Sequence, residues 1–531
     1  MPWPGGPAVE KIIVMTNSFR VDRILGDRPF AEIGEPALAV EDERRGLLAV
    51  AGTRGPVADV QEFGISTPVG VYGTGDLACR ALLRTGYRVH ALAFHPELPL
   101  LAVGTGDYDG GYFFEGQLLL LDWETGGVTS LIEPGLGRQV LGLEWLSAQE
   151  LRVLMAPPDD WHDKDAWNEG HVAVVRRPDW RAVPPQSVTA HDLAGPRVAA
   201  PRTESREDAR RMVSGLSTDW DPRRNVRAVE ELPDGRIVAT LDGFQLESWL
   251  PSGRRQWAVR DDGAGGRDIV VAADGRSVWV ALARPSWEER AQAVLRLALQ
   301  DGAQLGHITP SSPTSLVRCA DGLPALAPVG QHEGRNRLRI RRGSRIYFRE
   351  ITRETRKTRD KGRREPGARE VWLVAAELGS VPVAERPREP KKEEAHRLFP
   401  YSWKPGETHF AGPGAETADG DLIHAGTVHH GRGLQPGGSF VVRRMVADAE
   451  PKWVFRTDHK ATDLDCDTET AYVTYKDGEV VALALHDGSV RWRRHLTVAG
   501  VPVMPTALTV PEPGRLLIGT ADGRLLDCST D

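Results

Sequence analysis

No apolar run in the 531 residues approaches the eighteen or so needed to cross a membrane as a helix; the run at 118–121 has the length of a strand. With a mean hydropathy of −0.35, this absence implies no membrane partner. Cysteine is scarce, and Cys79, Cys319, Cys466 and Cys528 lie far apart with no Cys-x-x-Cys pair, which excludes a disulfide framework or a zinc knuckle. The opening Met1-Pro-Trp-Pro-Gly-Gly has no basic stretch followed by an apolar one, so no secretory signal is read there and a cytoplasmic location is expected. There is no Gly-x-Ser-x-Gly elbow and no Gly-Lys-Ser/Thr phosphate loop; Gly73-Thr-Gly-Asp76 and Gly104-Thr-Gly-Asp107 are turns. A net charge of −7 argues against nucleic-acid binding by the chain as a whole. No cofactor and no metal are implied.

Turn residues are what the chain does have: 56 Gly and 38 Pro, scattered as punctuation. Leu47-Leu-Ala-Val-Ala-Gly-Thr53 returns as Leu100-Leu-Ala-Val-Gly-Thr105 and, more loosely, as Leu516-Leu-Ile-Gly-Thr520. Asp-Gly pairs recur at 234, 242, 274, 301, 321, 477, 487 and 522. Asp-Gly between apolar runs marks a hairpin, because both residues tolerate the positive φ of a tight turn. One unit reads directly: strand A over 89–94, B over 100–103, C over 118–122 and D over 128–132. The same order is expected at 226–258, 268–308, 461–496 and 505–528. Strand following strand, with no long amphipathic helix between, excludes an α/β fold.

These residues resemble bacterial β-propellers of the WD40-like and PQQ-like repeat families. Phe94-His-Pro-Glu-Leu-Pro-Leu-Leu-Ala102 is similar to an A–B turn, Asp122-Trp-Glu-Thr-Gly126 to a C–D corner, and 471–492 to a PQQ-type repeat. The resemblance implies an all-β chain forming a single propeller domain over 1–531. A–B turns near 44, 97, 148, 234, 274, 321, 419, 468 and 512 give nine candidate units, two of them weak. About eight blades are therefore expected, within a range of seven to nine. The run Lys11 to Met15 would supply the last blade's missing strand and close the ring. Polar or basic insertions are expected at 184–211, with a helical turn after Thr203, at 335–369 and at 382–404.

Long connections gather at B–C positions: 52–68, 105–117, 157–170, 284–290 and 428–437. Loops longer than a hairpin needs cost ordering entropy and commonly carry function, so the binding surface is expected on the face they share. One such loop presents Tyr108, Asp109, Tyr112, Phe113 and Phe114 amid glycines. Another carries Asp159, Asp160, Trp161, His162 and Trp167. Aromatics displayed this way serve as low-entropy anchors for a protein partner, although Phe113 and Phe114 would equally suit packing between blades. The acidic spacing does not match a calcium loop. His429 and His430 add polar contacts on the same face; on a strand, adjacent side chains point oppositely and do not chelate one ion.

The segment 335–369 holds fifteen basic residues against four acidic ones, a net +11 that leaves the rest of the chain at −18. Arg353, Arg356, Lys357, Arg359, Lys361, Arg363 and Arg364 form its basic patch. Three functional readings stand open: a non-catalytic scaffold docking proteins through the long loops, a nucleic-acid or acidic-partner contact through the basic patch, and an enzyme whose site is assembled from several blades.

Overall fold

The computed structural model describes residues 19–530 apart from 54–66, 133–137, 162, 201–205, 218–219, 284–292, 311–313, 320–321, 329–337, 341, 354–368, 378–386, 388–394, 401–406 and 431–433. The chain is all-β, built of many small antiparallel sheets with one α-helix (Arg206–Leu216) among the described residues, an architecture consistent with a propeller. The unit read at 89–132 is present as Arg88–Phe94, Leu100–Tyr108, Leu118–Asp122 and Val128–Ser130, paired in up-and-down order. All nine A–B turns fall between paired strands, from Pro36–Asp42 with Leu47–Gly52 to Pro505–Glu512 with Arg515–Thr520. Asp-Gly does the turning as expected: Gly478 sits at φ 97° and Gly523 at φ 84°, where a Cβ would be strained.

The sheets stack through their apolar faces. Leu47, Val69 and Leu83 of the 36–85 sheet pack on Leu101, Val103 and Leu121 of the 88–130 sheet. That sheet in turn packs through Leu100, Leu118 and Leu120 on Val140, Leu151 and Val153 of the 140–199 sheet. A second series begins at Arg224. The stretches 224–260 and 265–308 share the long strand Arg255–Val271 in one six-stranded sheet and also meet through an apolar cluster; further clusters join 265–308 to 314–328, 345–400 to 407–457, 407–457 to 461–495, and 461–495 to 505–530. Ala507, Leu517 and Leu525 then pack on Val226, Val229 and Ala239, so the last sheet meets the 224–260 sheet. A single ring running once through the whole chain would instead seat the last sheet on the 36–85 sheet by its apolar face.

Lys11 to Met15 lies outside the described residues. The strand that borders Leu525–Thr530 is Phe19–Leu25, antiparallel, and it gives the C-terminal sheet its fourth strand. The segments read as polar insertions contain ordered elements. Within 184–211, Val188 and Leu193 are buried beside Trp180, and Arg197–Ala199 pairs with Glu169–Arg176. The helix follows, with Ala209 and Val213 buried. Arg345–Arg353 and Arg369–Glu377 form a hairpin in the basic segment, and Ala395–Pro400 pairs with the latter.

Where the chain leaves Phe19–Leu25 and returns at Arg223, buried charges hold it. Arg524 donates to Glu32 at 2.6 Å, to Asp522 at 2.9 Å and to Asp27 at 2.8 Å. Tyr72 of the 36–85 sheet donates to the other oxygen of Glu32 at 3.1 Å. Arg223 and Glu247, exposed by 1% and 0%, form a two-point pair, and Arg223 also reaches Gly523 O. Removing one partner of such a pair strands a buried charge. Arg524→Met is therefore expected to lower the unfolding free energy by about 3–5 kcal/mol in urea titration. Arg20→Ala, which removes the exposed pair with Asp22, should cost no more than about 1 kcal/mol.

Candidate functional site

The two aromatic loops meet. Phe114–Glu115 pairs back onto Asp107 and Tyr108, and Phe113 bridges to Asp159 of the other loop. Backbone bonds tie the loops together: Phe114 N to Pro158 O at 3.2 Å and Asp160 N to Tyr112 O at 3.1 Å. Asp109 folds its own loop by accepting the amides of Gly111, Tyr112 and Phe113 at 2.7–3.0 Å. Asp160 takes the Tyr108 hydroxyl at 3.3 Å and the Trp167 indole N–H at 3.1 Å. Around this frame Tyr108, Phe114 and Trp167 pack edge to face or tilted, with centroids 5.0–5.3 Å apart, and Tyr112 stands against Trp161 at 4.4 Å.

The double reading of Phe113 and Phe114 resolves residue by residue. Phe114 is fully buried with Ala156 and Ala166, whereas Phe113 is 56% exposed. Tyr112, Trp161 and Trp167 are likewise open to solvent, at 47%, 63% and 44%. Four large, solvent-exposed apolar side chains thus stand on two loops that backbone bonds tie together.

His162 lies outside the described residues. His429 is carried by a different sheet, opposite Thr408 and Leu434, and of His430 only the strand backbone is described. In the basic patch, Arg353 ends a strand whose side chain is not described, and Arg356, Lys357, Arg359, Lys361, Arg363 and Arg364 fall outside the described residues. Their neighbours turn inward. Arg339 reaches Asp463 at 3.1 Å, Arg342 lies 3.6 Å from both Glu230 and Asp465, and Arg345 donates to Gly420 O at 3.2 Å.

A feature the sequence did not disclose is a cavity of about 810 Å³ among the A–B turns. Its wall includes Leu232 and Pro233, Ala272, Ala273 and Gly275, Cys319 and Gly322, Thr417, Ala418 and Gly420, and Pro511, all at or beside A–B turns, together with Arg318 and Arg342. Turn residues from five places in the sequence meet there, and no motif along the chain foretells it.

No family model matches this chain, and no curated protein matches it. Among solved structures, the computationally designed Ika8 protein is similar at 11% identity over 84% of this chain and 96% of that one, with a TM-score of 0.26. A chain of the mitotic checkpoint complex gives 9% identity over 57% and 86%, TM-score 0.32. BamB from Moraxella catarrhalis gives 12% over 93% and 100%, TM-score 0.23.

Backbone amides, led by that of Phe113, hold the Asp109 carboxyl below its ordinary value. A depressed folded-state value means that its contribution is present above the unfolded value near 3.9 and is lost as pH falls through the folded one. Asp109→Asn should therefore speed amide exchange of Gly111 to Phe113 at pH 7, and the difference from the parent should vanish at strongly acid pH.

Proposed function

We propose that the chain is a non-catalytic, propeller-type interaction module of the WD40-like or PQQ-like kind, acting in the cytoplasm and docking a protein segment on the platform of Tyr112, Phe113, Trp161 and Trp167. In this reading the sheets from 224 to 530, with six A–B turns, form a ring closed by Phe19–Leu25, and the three sheets of 36–199 form an arc inserted beside it and display the platform. The order of apolar clusters from sheet to sheet supports that division.

The observation that carries the function is the combination of exposed rings and an ordered frame. Partners lose rotamer and loop entropy on docking; a platform held by Asp109 and Asp160 has lost most of it already. The two loops also carry Asp107, Asp109, Glu115, Asp159, Asp160, Asp163, Asp165 and Glu169 against Lys164. Aromatic faces amid carboxylates favour a segment bearing Lys or Arg next to apolar side chains.

Selection of displayed peptides against the full chain tests this. Recovered peptides should be basic and apolar, and Trp161→Ala and Tyr112→Ala should each weaken them more than about tenfold. Tight peptides indifferent to both substitutions would contradict the proposal.

A further inference from the structure

We infer that the cavity among the A–B turns binds a small-molecule oxyanion, the carboxylate or phosphate group of a ligand held by Arg318 and Arg342. Arg342–Gly343 runs parallel to Thr314–Cys319, with Arg342 directly beside Arg318 and Gly343 beside Cys319. Paired residues on neighbouring strands project to the same face, and both arginines line the cavity. Like charges in that register repel; Glu230 and Asp465 offset part of the charge of Arg342, and an anion beside Arg318 would offset the rest.

The two arginines are not equivalent. Arg342 faces Glu230 and Asp465, each at 3.6 Å, longer than a direct hydrogen bond, and its remaining contact is Val510 O at 3.5 Å. Arg318 is half-buried, and among the described residues no carboxylate or carbonyl engages its guanidinium. The cavity's other carboxylates are already satisfied. Glu231 takes Arg515 at 2.9 Å through both oxygens, and Glu416 takes Tyr347 at 2.7 Å and Ser344 at 2.9 Å. Among the described residues Arg318 is thus the lining charge without a counterpart, and a guanidinium offers a planar two-point fork to an oxyanion. A volume near 810 Å³ suits a small metabolite and lies within the range of ordinary ligand sites, which favours a small molecule over a protein segment.

Titration calorimetry and thermal shift on the full chain test the site, with inorganic phosphate and succinate as probes and sodium chloride at matched ionic strength as reference. At least one probe should bind and raise the melting temperature beyond chloride. Arg318→Ala should weaken it at least about tenfold, and Arg318→Lys, a point charge without the fork, should fall between. Preference for phosphate identifies a phosphorylated ligand and preference for succinate a carboxylate one. Equal binding by the parent and Arg318→Ala, or no probe exceeding chloride, would overturn the inference. Unchanged circular dichroism of Arg318→Lys separates loss of binding from loss of fold.

Discussion

Several sheets begin or end on a strand, such as Arg224–Glu231, Ala461–Cys466 and Pro505–Glu512, that has no described strand along one edge, and the amides on such an edge must find acceptors elsewhere. Side chains of the neighbouring sheet supply them. Asp463 accepts the amide of Leu508 at 2.6 Å, and Asp465, two residues on, accepts that of Val510 at 2.8 Å. Asp268 takes Leu316 N at 3.2 Å. In the other direction, Thr506 and Thr509 donate their hydroxyls to Val226 O and Val229 O, both at 2.6 Å. These bonds fix how far each sheet is slid against the next, which apolar contact alone leaves loosely determined.

Carboxylates used this way are buried, Asp463 at 0% and Asp465 at 2%, and need cations. Arg339 and Arg342 provide them from the short strands at 339–340 and 342–343, which pair in parallel with Glu407–Glu416 and Thr314–Cys319. The start of the basic segment is therefore a structural counter-charge. Threading it between Thr314–Cys319 and Glu407–Glu416 also sets Arg342 beside Arg318, so one local solution to edge satisfaction creates the charged wall of the cavity.

Much of the architecture was legible because it is local. Asp-Gly turns and short apolar runs are written within ten residues of one another, and all nine A–B turns fall where those signals place them. The sheet-to-sheet order was not legible. The apolar faces of 36–85 and 505–530 look alike in sequence, and only packing tells that the latter rests on 224–260. The aromatic loops were legible as loops, yet not that Phe114 turns inward while Phe113 stays out, since that depends on Ala156 and Ala166 across the gap. Arg339 and Arg342 read as surface charge because their carboxylate partners lie more than a hundred residues away in sequence.

The central claim is that acidic side chains of one sheet cap the open edge of the next. Site-resolved hydrogen exchange at Leu508 and Val510 tests it most directly, comparing the parent chain with Asp463→Ala and Asp465→Ala. Both amides should be strongly protected in the parent, with Leu508 exposed selectively by the first substitution and Val510 by the second. Amides that exchange freely in the parent, or whose protection is indifferent to both substitutions, would contradict the account.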